Sequence, residues 1–322
     1  MKRFTILAML IAMVSITFAQ THMYVWKNGV KTNYAISEVD SVTFGEETFD
    51  SSQGIGVFSV SEDKKITFSK GNLQYTQSTD TWSFASTQYE LLGTENVTGG
   101  TVSSSSSHGD IKDGNALADK IDLFGWSGNF GIAKFGVSTS TNNGSYYNTF
   151  VDWGINRIDN DEPNTWRTLT EREWNYLIQE RHPEDDIYAK LYGIAQVAGV
   201  NGLILLPDNW NCPEGITFNS GFELYYDTEY YAAHQCFTVE QWSKMENAGA
   251  VFLPAAGVRE GAKVYAVQAA GGYWLSDIVP YTISIDYAYN IRICANCRDS
   301  WYDSTQRYYG YSVRLVKDIV TE

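Results

Sequence analysis

Apolar positions recur in two rhythms along this chain. Alternation with a period of two marks Val57-Phe58-Ser59-Val60 and Lys65-Ile66-Thr67-Phe68 as a hairpin. Asn72-Leu73-Gln74-Tyr75 and Trp82-Ser83-Phe84 read as further strands. Unbroken apolar runs at Gly202–Pro207 and Ala250–Pro254 predict buried strands. Helical spacing appears twice. Thr170 and Glu173 form a capping box, with Trp174, Leu177 and Ile178 falling on one face behind it. Thr238 and Gln241 form a second box, followed by Trp242 and Met245 on one face and by Gly249 as a stop. The whole predicts an α+β domain: two amphipathic helices against an irregular antiparallel sheet, joined by long loops. Tyr311–Val316 predicts a closing strand.

The N-terminus has a different pattern. Lys2 and Arg3 precede an apolar stretch from Phe4 to Phe18, and Thr17-Phe18-Ala19 fits a small-x-small cleavage site. The run falls short of the ~20 apolar residues that a membrane span needs. Residues 1–19 therefore read as a signal peptide, and the expected location is secreted or cell-surface. No Cys stands at the cleavage point, which argues against a lipid anchor. Residues 20–47 read as a small β unit: a strand at Met23–Trp26, a hairpin signal at Asn28-Gly29 and a later strand at Ser41–Phe44. Residues 48–54 read as a linker and 55–318 as the main domain. Thr98–Gly114, with its run of serines, reads as a surface loop.

Charge narrows the partners. The net charge is −15, and loss of Lys2 and Arg3 with the leader makes the mature chain more acidic still. Such a chain repels polyanions, so nucleic acid is not an expected partner. Four cysteines remain, at 212, 236, 294 and 297. Cys212 and Cys236 are candidates for a disulfide in an oxidising compartment. Cys294 and Cys297 form C-x-x-C without the second Cys/His pair that a zinc site needs.

The strongest functional signal lies near the C-terminus. Tyr273–Tyr311 holds eight Tyr, two Trp, three Arg and four Asp, but no Lys and no Glu, although those two types number 31 in the chain. Tyr and Trp supply large contact area with few rotors to freeze, which is the bias of binding surfaces. The candidate ligand-binding residues are Asp277, Ile278, Tyr281, Asn290, Arg292, Asn296, Arg298, Trp301, Tyr302, Asp303 and Tyr309. Ile278 is expected to be exposed, and Ile283, Ile285, Ile291 and Ile293 to be core positions.

Several phrases carry a family resemblance. They are Phe68–Tyr75, Asp122–Trp126, Trp166–Thr170 with Glu173-Trp174, Leu206–Asp208, Phe252–Gly257, Gly272–Trp274 and Gly310–Val316. In this order they resemble secreted Bacteroidetes proteins related to the Fibrobacter major paralogous domain, over about residues 55 to 318. The resemblance implies a C-type-lectin-like fold of the formylglycine-generating-enzyme (sulfatase-modifying-factor) type. The C-terminus also resembles the variable region of diversity-generating retroelement proteins. There, adenine-directed change of AAY codons yields Tyr, Asp, Ser, Arg, Ile, Cys or Asn, but never Lys or Glu. The resemblance implies a receptor- or adhesin-like binder of a protein or glycan ligand on another cell, phage or host surface.

Enzymatic chemistry finds little purchase. The four histidines are scattered, and no nucleophile, P-loop or dinucleotide motif occurs. Glu162-Pro163-Asn164 copies a calcium-and-sugar motif of mannose-type lectins, but it precedes both helices and lacks the Trp-Asn-Asp partner strand. Asp159, Asp161 and Glu162 remain candidates for a structural calcium. Two alternatives to a binding protein stand beside it. One is a formylglycine-generating-enzyme-like oxidase using Cys294 and Cys297. The other is a fimbria-like or surface-assembly subunit joined through the N-terminal unit.

Overall fold

The computed structural model describes residues 22–27, 30–35, 55–98, 117–126, 150–183, 186–221, 235–261, 263–279, 287–294 and 302–319. The chain divides into two compact units, Met1–Thr48 and Phe49–Glu322. In the first, β1 (His22–Lys27) pairs antiparallel with β2 (Val30–Ala35), Lys27 standing opposite Val30. That register leaves Asn28 and Gly29 between the strands, the spacing of a two-residue hairpin. The strand that pairs with β1 is therefore Val30–Ala35, directly after the Asn28-Gly29 signal. Residues 1–19, expected to be a signal peptide, residues 41–44 and nearly all of Thr98–Gly114 lie outside the described residues.

The second unit is sheet-rich α+β. β3 (Ile55–Ser59) and β4 (Lys65–Phe68) form the expected hairpin. β5 (Leu73–Thr76) pairs with β6 (Thr81–Phe84) and with the short β7 (Lys120–Ile121). After α1 (Glu171–Asn175), β8 (Tyr192–Val197) and β9 (Val200–Leu205) form a second hairpin. β10 (Cys236–Phe237) joins β8 in parallel, ahead of α2 (Val239–Asn247). β11 (Val251–Pro254) then completes the four-stranded order β10-β8-β9-β11. β12 (Val258–Glu260) and β13 (Lys263–Tyr265) make a ribbon. β14 (Ala270–Ile278), β15 (Tyr287–Cys294) and β16 (Tyr302–Gln306) make a three-stranded antiparallel sheet. β17 (Val316–Asp318) returns to pair with β4.

Both helices start where their capping boxes place them. The Thr170 side chain accepts from the Glu173 amide, and the Glu173 carboxylate accepts from the Thr170 amide. Thr238 and Gln241 repeat the exchange. α1 widens into a π-type turn over Tyr176–Glu180, where the Arg181 amide donates five residues back to the Tyr176 carbonyl. Trp174, Leu177 and Ile178 still land on one buried face. α2 buries Trp242 and Met245 and stops at Gly249, whose φ of +91° suits a residue without a Cβ.

The core lies in layers. One cluster gathers Phe58, Phe68, Trp174, Leu253, Tyr273, Leu275, Ile291 and Ile293. A second gathers Phe84, Phe124, Trp126, Trp153, Trp166, Trp274, Ala288 and Tyr311. A third packs α2 on the four-stranded sheet. Trp126, Trp166, Trp174 and Trp274 are all core residues.

The phrases that carry the family resemblance meet inside this core. Gly272 sits so close under Tyr311 that a Cβ there would lie 2.6 Å from the ring. Tyr273 turns to the first core, where its hydroxyl donates to the Pro254 carbonyl and accepts from Asn72 Nδ2. Trp274 turns to the second and donates to the Phe124 carbonyl. Arg314 is buried with Nη1 on Asn72 Oδ1 and Nη2 on Gln88 Oε1. Burial lowers its pKa to about 10, still high enough to keep its charge at neutral pH.

One strand expectation needs correcting. Tyr311–Leu315 is extended and buried but pairs as no regular strand; only Val316 enters one. The segment threads between elements and changes partner at almost every residue. Tyr311 exchanges bonds with Phe124, and the Ser312 carbonyl accepts from Trp274. The Val313 carbonyl then accepts from Leu73, and that of Leu315 from Ser69. A chain buried on all sides must satisfy its backbone groups somewhere, and here the carbonyls of Tyr311, Ser312, Val313 and Leu315 each go to a different neighbour.

Candidate functional site: the C-terminal sheet

β14-β15-β16 is the frame on which the C-terminal side chains stand. In β15, alternation sends Ile291 and Ile293 to the first core and Ala288 to the second. Both isoleucines are fully buried, as expected from their spacing. Ile283 and Ile285 lie outside the described residues. Past the cover of the second core, Arg292 emerges. Its Nη1 lies 3.2 Å from Oδ2 of Asp303 on β16, with half of the Arg292 side chain exposed. Asp303 stands opposite Asn290, so the pair is a diagonal cross-strand contact on one face.

The floor beneath this pair is built, not incidental. Asn290 is fully buried and donates from Nδ2 to the Asp303 carbonyl at 3.2 Å and to Thr305 Oγ1 at 3.4 Å. Thr305 in turn bonds the Tyr311 hydroxyl. Burial pushes that phenol up to about 12, with Asp303 adding to the rise. Tyr311 packs at 4.9 Å from Trp274 and stacks on Tyr309 at 6.3 Å and 19°. Tyr309 meets Tyr308 at 5.1 Å and shares a hydroxyl hydrogen bond with Tyr265 on β13. A row of tyrosines thus starts at buried Tyr311, which senses the charges of Asp303 and Arg292, and runs out through half-buried Tyr309 to Tyr308 and Tyr265.

The expected recognition residues divide accordingly. Ile278, Arg292 and Asp303 are displayed or nearly so, Ile278 being 41% exposed beyond an irregularity in β14. Tyr309 is half-buried in the tyrosine row. Asn290 corrects the expectation of an open side chain: it lies between the strands and acts on Asp303 from below. Asp277 is held as well, its Oδ2 accepting from the Glu171 amide at the start of α1 at 2.7 Å. Tyr302 pairs with Ile291 through the backbone of β16. Tyr281, Asn296, Arg298 and Trp301 lie outside the described residues.

Tyr265, Tyr308, Thr305 and Tyr311 were missed as site residues. Tyr308 and Tyr311 fall inside the Tyr-rich stretch, and composition alone could have drawn them in. Tyr265 had no such signal, because only the pairing of β12 with Gly310 carries β13 to this place.

Other candidates dissolve. Cys212 and Cys236 are exposed thiols that are not bridged to each other. Cys212 donates toward the Ile216 carbonyl in its own loop, and Cys236 toward Gln196 on the neighbouring strand. The three calcium carboxylates turn to separate partners. Asp159 faces Lys70, Asp161 accepts from Trp166 Nε1, and Glu162 pairs with Arg157. Among the described residues no group of three or more His, Cys, Asp or Glu could hold a metal ion. No helix among them is long and apolar enough to cross a membrane. Cys294 ends β15, and Cys297 lies outside the described residues.

Comparison of the chain with protein-family models, with curated proteins and with solved structures finds no match.

Proposed function

We propose that this protein is a secreted or surface-displayed ligand-binding protein, receptor- or adhesin-like, whose C-terminal sheet presents the recognition face. The domain is proposed to be C-type-lectin-like, with a face diversified by a retroelement. The observation that carries the reading is the Arg292–Asp303 pair, set on a strand whose alternate residues are locked in the core. A rigid backbone with changeable side chains is what affinity without refolding needs, since ordering costs then fall away. The absence of Lys and Glu across Tyr273–Tyr311 agrees with both binding selection and AAY-codon diversification.

The ligand is a protein or glycan on another cell, phage or host surface. Recognition is by equilibrium contact, with a few anchors carrying most of the affinity. The test is direct. Labelled full-length mature protein is offered to arrayed bacterial cells, host cells and phage. Saturable binding to one class is expected, weakened at least about ten-fold by Arg292→Ala or Trp301→Ala. If both variants fold and bind like the parent, the recognition face lies elsewhere.

A further inference from the structure

Arg259 and Gly310 exchange both backbone hydrogen bonds, which lays the end of the tyrosine row alongside β12. Their neighbours follow in register: Tyr309 comes beside Glu260 and Tyr311 beside Val258. On the far side, β13 sets Lys263 opposite Glu260 and Tyr265 opposite Val258. Alternation puts these side chains on one face. The packing agrees, because Val258, Tyr265, Tyr309 and Tyr311 share one cluster while Val264 belongs to another. The rings are held in place. Tyr265 and Tyr309 share their hydroxyl hydrogen bond, and Tyr309 packs against Tyr308 and Tyr311 at 5.1 and 6.3 Å between centroids. Tyr265, Tyr308 and Tyr309 each keep part of their surface in solvent. Glu260 is only 4% exposed. Burial pushes the phenols of Tyr265, Tyr309 and Tyr311 up, and the charge of Glu260 adds to the rise at each. Arg292 opposes that rise at Tyr311.

We propose that this tyrosine cluster binds an alkylammonium group, the head of a lysine or of a methylated amine on a protein ligand. A tyrosine ring has a negative face, and a cation within about 6 Å of its centroid is attracted to it. The buried carboxylate of Glu260 strengthens that attraction without touching the cation, because a charge acts further through protein than through water. The rings are ordered before a ligand arrives, which lowers the cost of binding. Tyr273–Tyr311 contains no Lys, so that stretch supplies no ammonium of its own. A net charge of −15 draws cations toward the surface as a whole. The proposal rests on the C-terminal sheet being the recognition face, and for that face it selects a basic protein ligand over a glycan.

Saturation-transfer-difference NMR on the full mature chain tests it, with tetramethylammonium as the probe and neopentyl alcohol as a neutral molecule of similar shape. Saturable transfer to the cation is expected, at least about five-fold stronger than to the alcohol. Tyr309→Leu should weaken it about five-fold or more, whereas Tyr309→Phe, which keeps the ring, should retain it. Lys263→Ala, which removes a neighbouring cation, should not lower it. Thermal melts confirm that each variant is folded. Equal transfer to both probes overturns the proposal. So does cation transfer that survives Tyr309→Leu, which would be diffuse attraction to an acidic chain. The recognition face has its own test in cell binding. Cells that bind through Arg292 while the cation finds no site would overturn this inference and leave that face in place.

Discussion

Ile291 and Arg292 are neighbours on one strand, yet they belong to different parts of the molecule. Ile291 is fully buried against Trp174, Tyr273 and Leu253 in the first core cluster, whereas half of the Arg292 side chain is in solvent. The same contrast separates the two ends of the C-terminal stretch. Gly310–Val316 threads the interior and carries buried Arg314, while β15 and β16 end in the open Arg292–Asp303 pair. Ala288 and Asn290, of the same parity as Arg292, are fully buried, so display is confined to the stretch of β15 beyond the second core. There a displayed side chain can change while its buried neighbours hold the sheet.

The sharpest way to break this comparison is to truncate each neighbour in turn. Trp274→Ala should cost about 3–5 kcal/mol and Ile291→Ala about 2–5 kcal/mol, measured by urea unfolding. Arg292→Ala should stay within about 0.5 kcal/mol, because an exposed pair contributes little. A large loss at Arg292 with none at Ile291 would invert the assignment of faces.

Much of the scaffold was legible in the sequence. Both capping boxes formed with their reciprocal bonds, and Ile291, Ile293, Trp174 and Trp242 proved to be core. These are local signals: a cap or an alternation needs only nearby residues to be read. The path of Tyr311–Leu315 was not legible. A run of apolar and polar alternation there looks like a strand, but its partners come from β5, β14 and the segment around Phe124, far apart in sequence. The burial of Asn290 was hidden for the same reason. An asparagine in a Tyr- and Arg-rich stretch reads as a contact residue, and only its register opposite Asp303 and Trp274 places it between layers.

The caps give a middle-sized test. Thr170→Ala or Thr238→Ala should lower stability by about 1 kcal/mol each, since each frees a buried or terminal amide from its acceptor. Thr170 should matter more, because Glu173 also grips Arg167 through two bonds of 2.8 Å and, through Arg167, the end of β17. An effect confined to Thr238 would show that this clasp is idle.

The pH response sharpens the same region. Burial alone would raise the Glu173 pKa, but Arg167, the Thr170 amide and Lys64 outweigh it and hold the carboxyl at about 2. A depressed carboxyl stabilises the fold above its unfolded value of 4.5, and that contribution is lost as pH falls toward 2. Asp122 runs the other way. Burial lifts it from 3.8 to about 6 despite bonds from the Leu92 amide and Asn96, so its contribution declines as pH rises from 3.8 through 6. Stability profiles should therefore flatten below pH 4.5 in Glu173→Gln and between pH 4 and 6 in Asp122→Asn. Profiles parallel to the parent would remove these two groups from the account.

The most direct measurement is to sequence this locus in several isolates, together with the DNA just beyond the 3′ end of the gene. Changes are expected at codons for displayed positions such as Ile278, Arg292 and Asp303, beside a near-copy that differs only at adenines and a reverse transcriptase. Codons for Ile291, Ile293, Tyr311 and Arg314 should be constant. An invariant stretch with no copy, or variation falling on the buried residues, would contradict a diversified recognition face on this sheet.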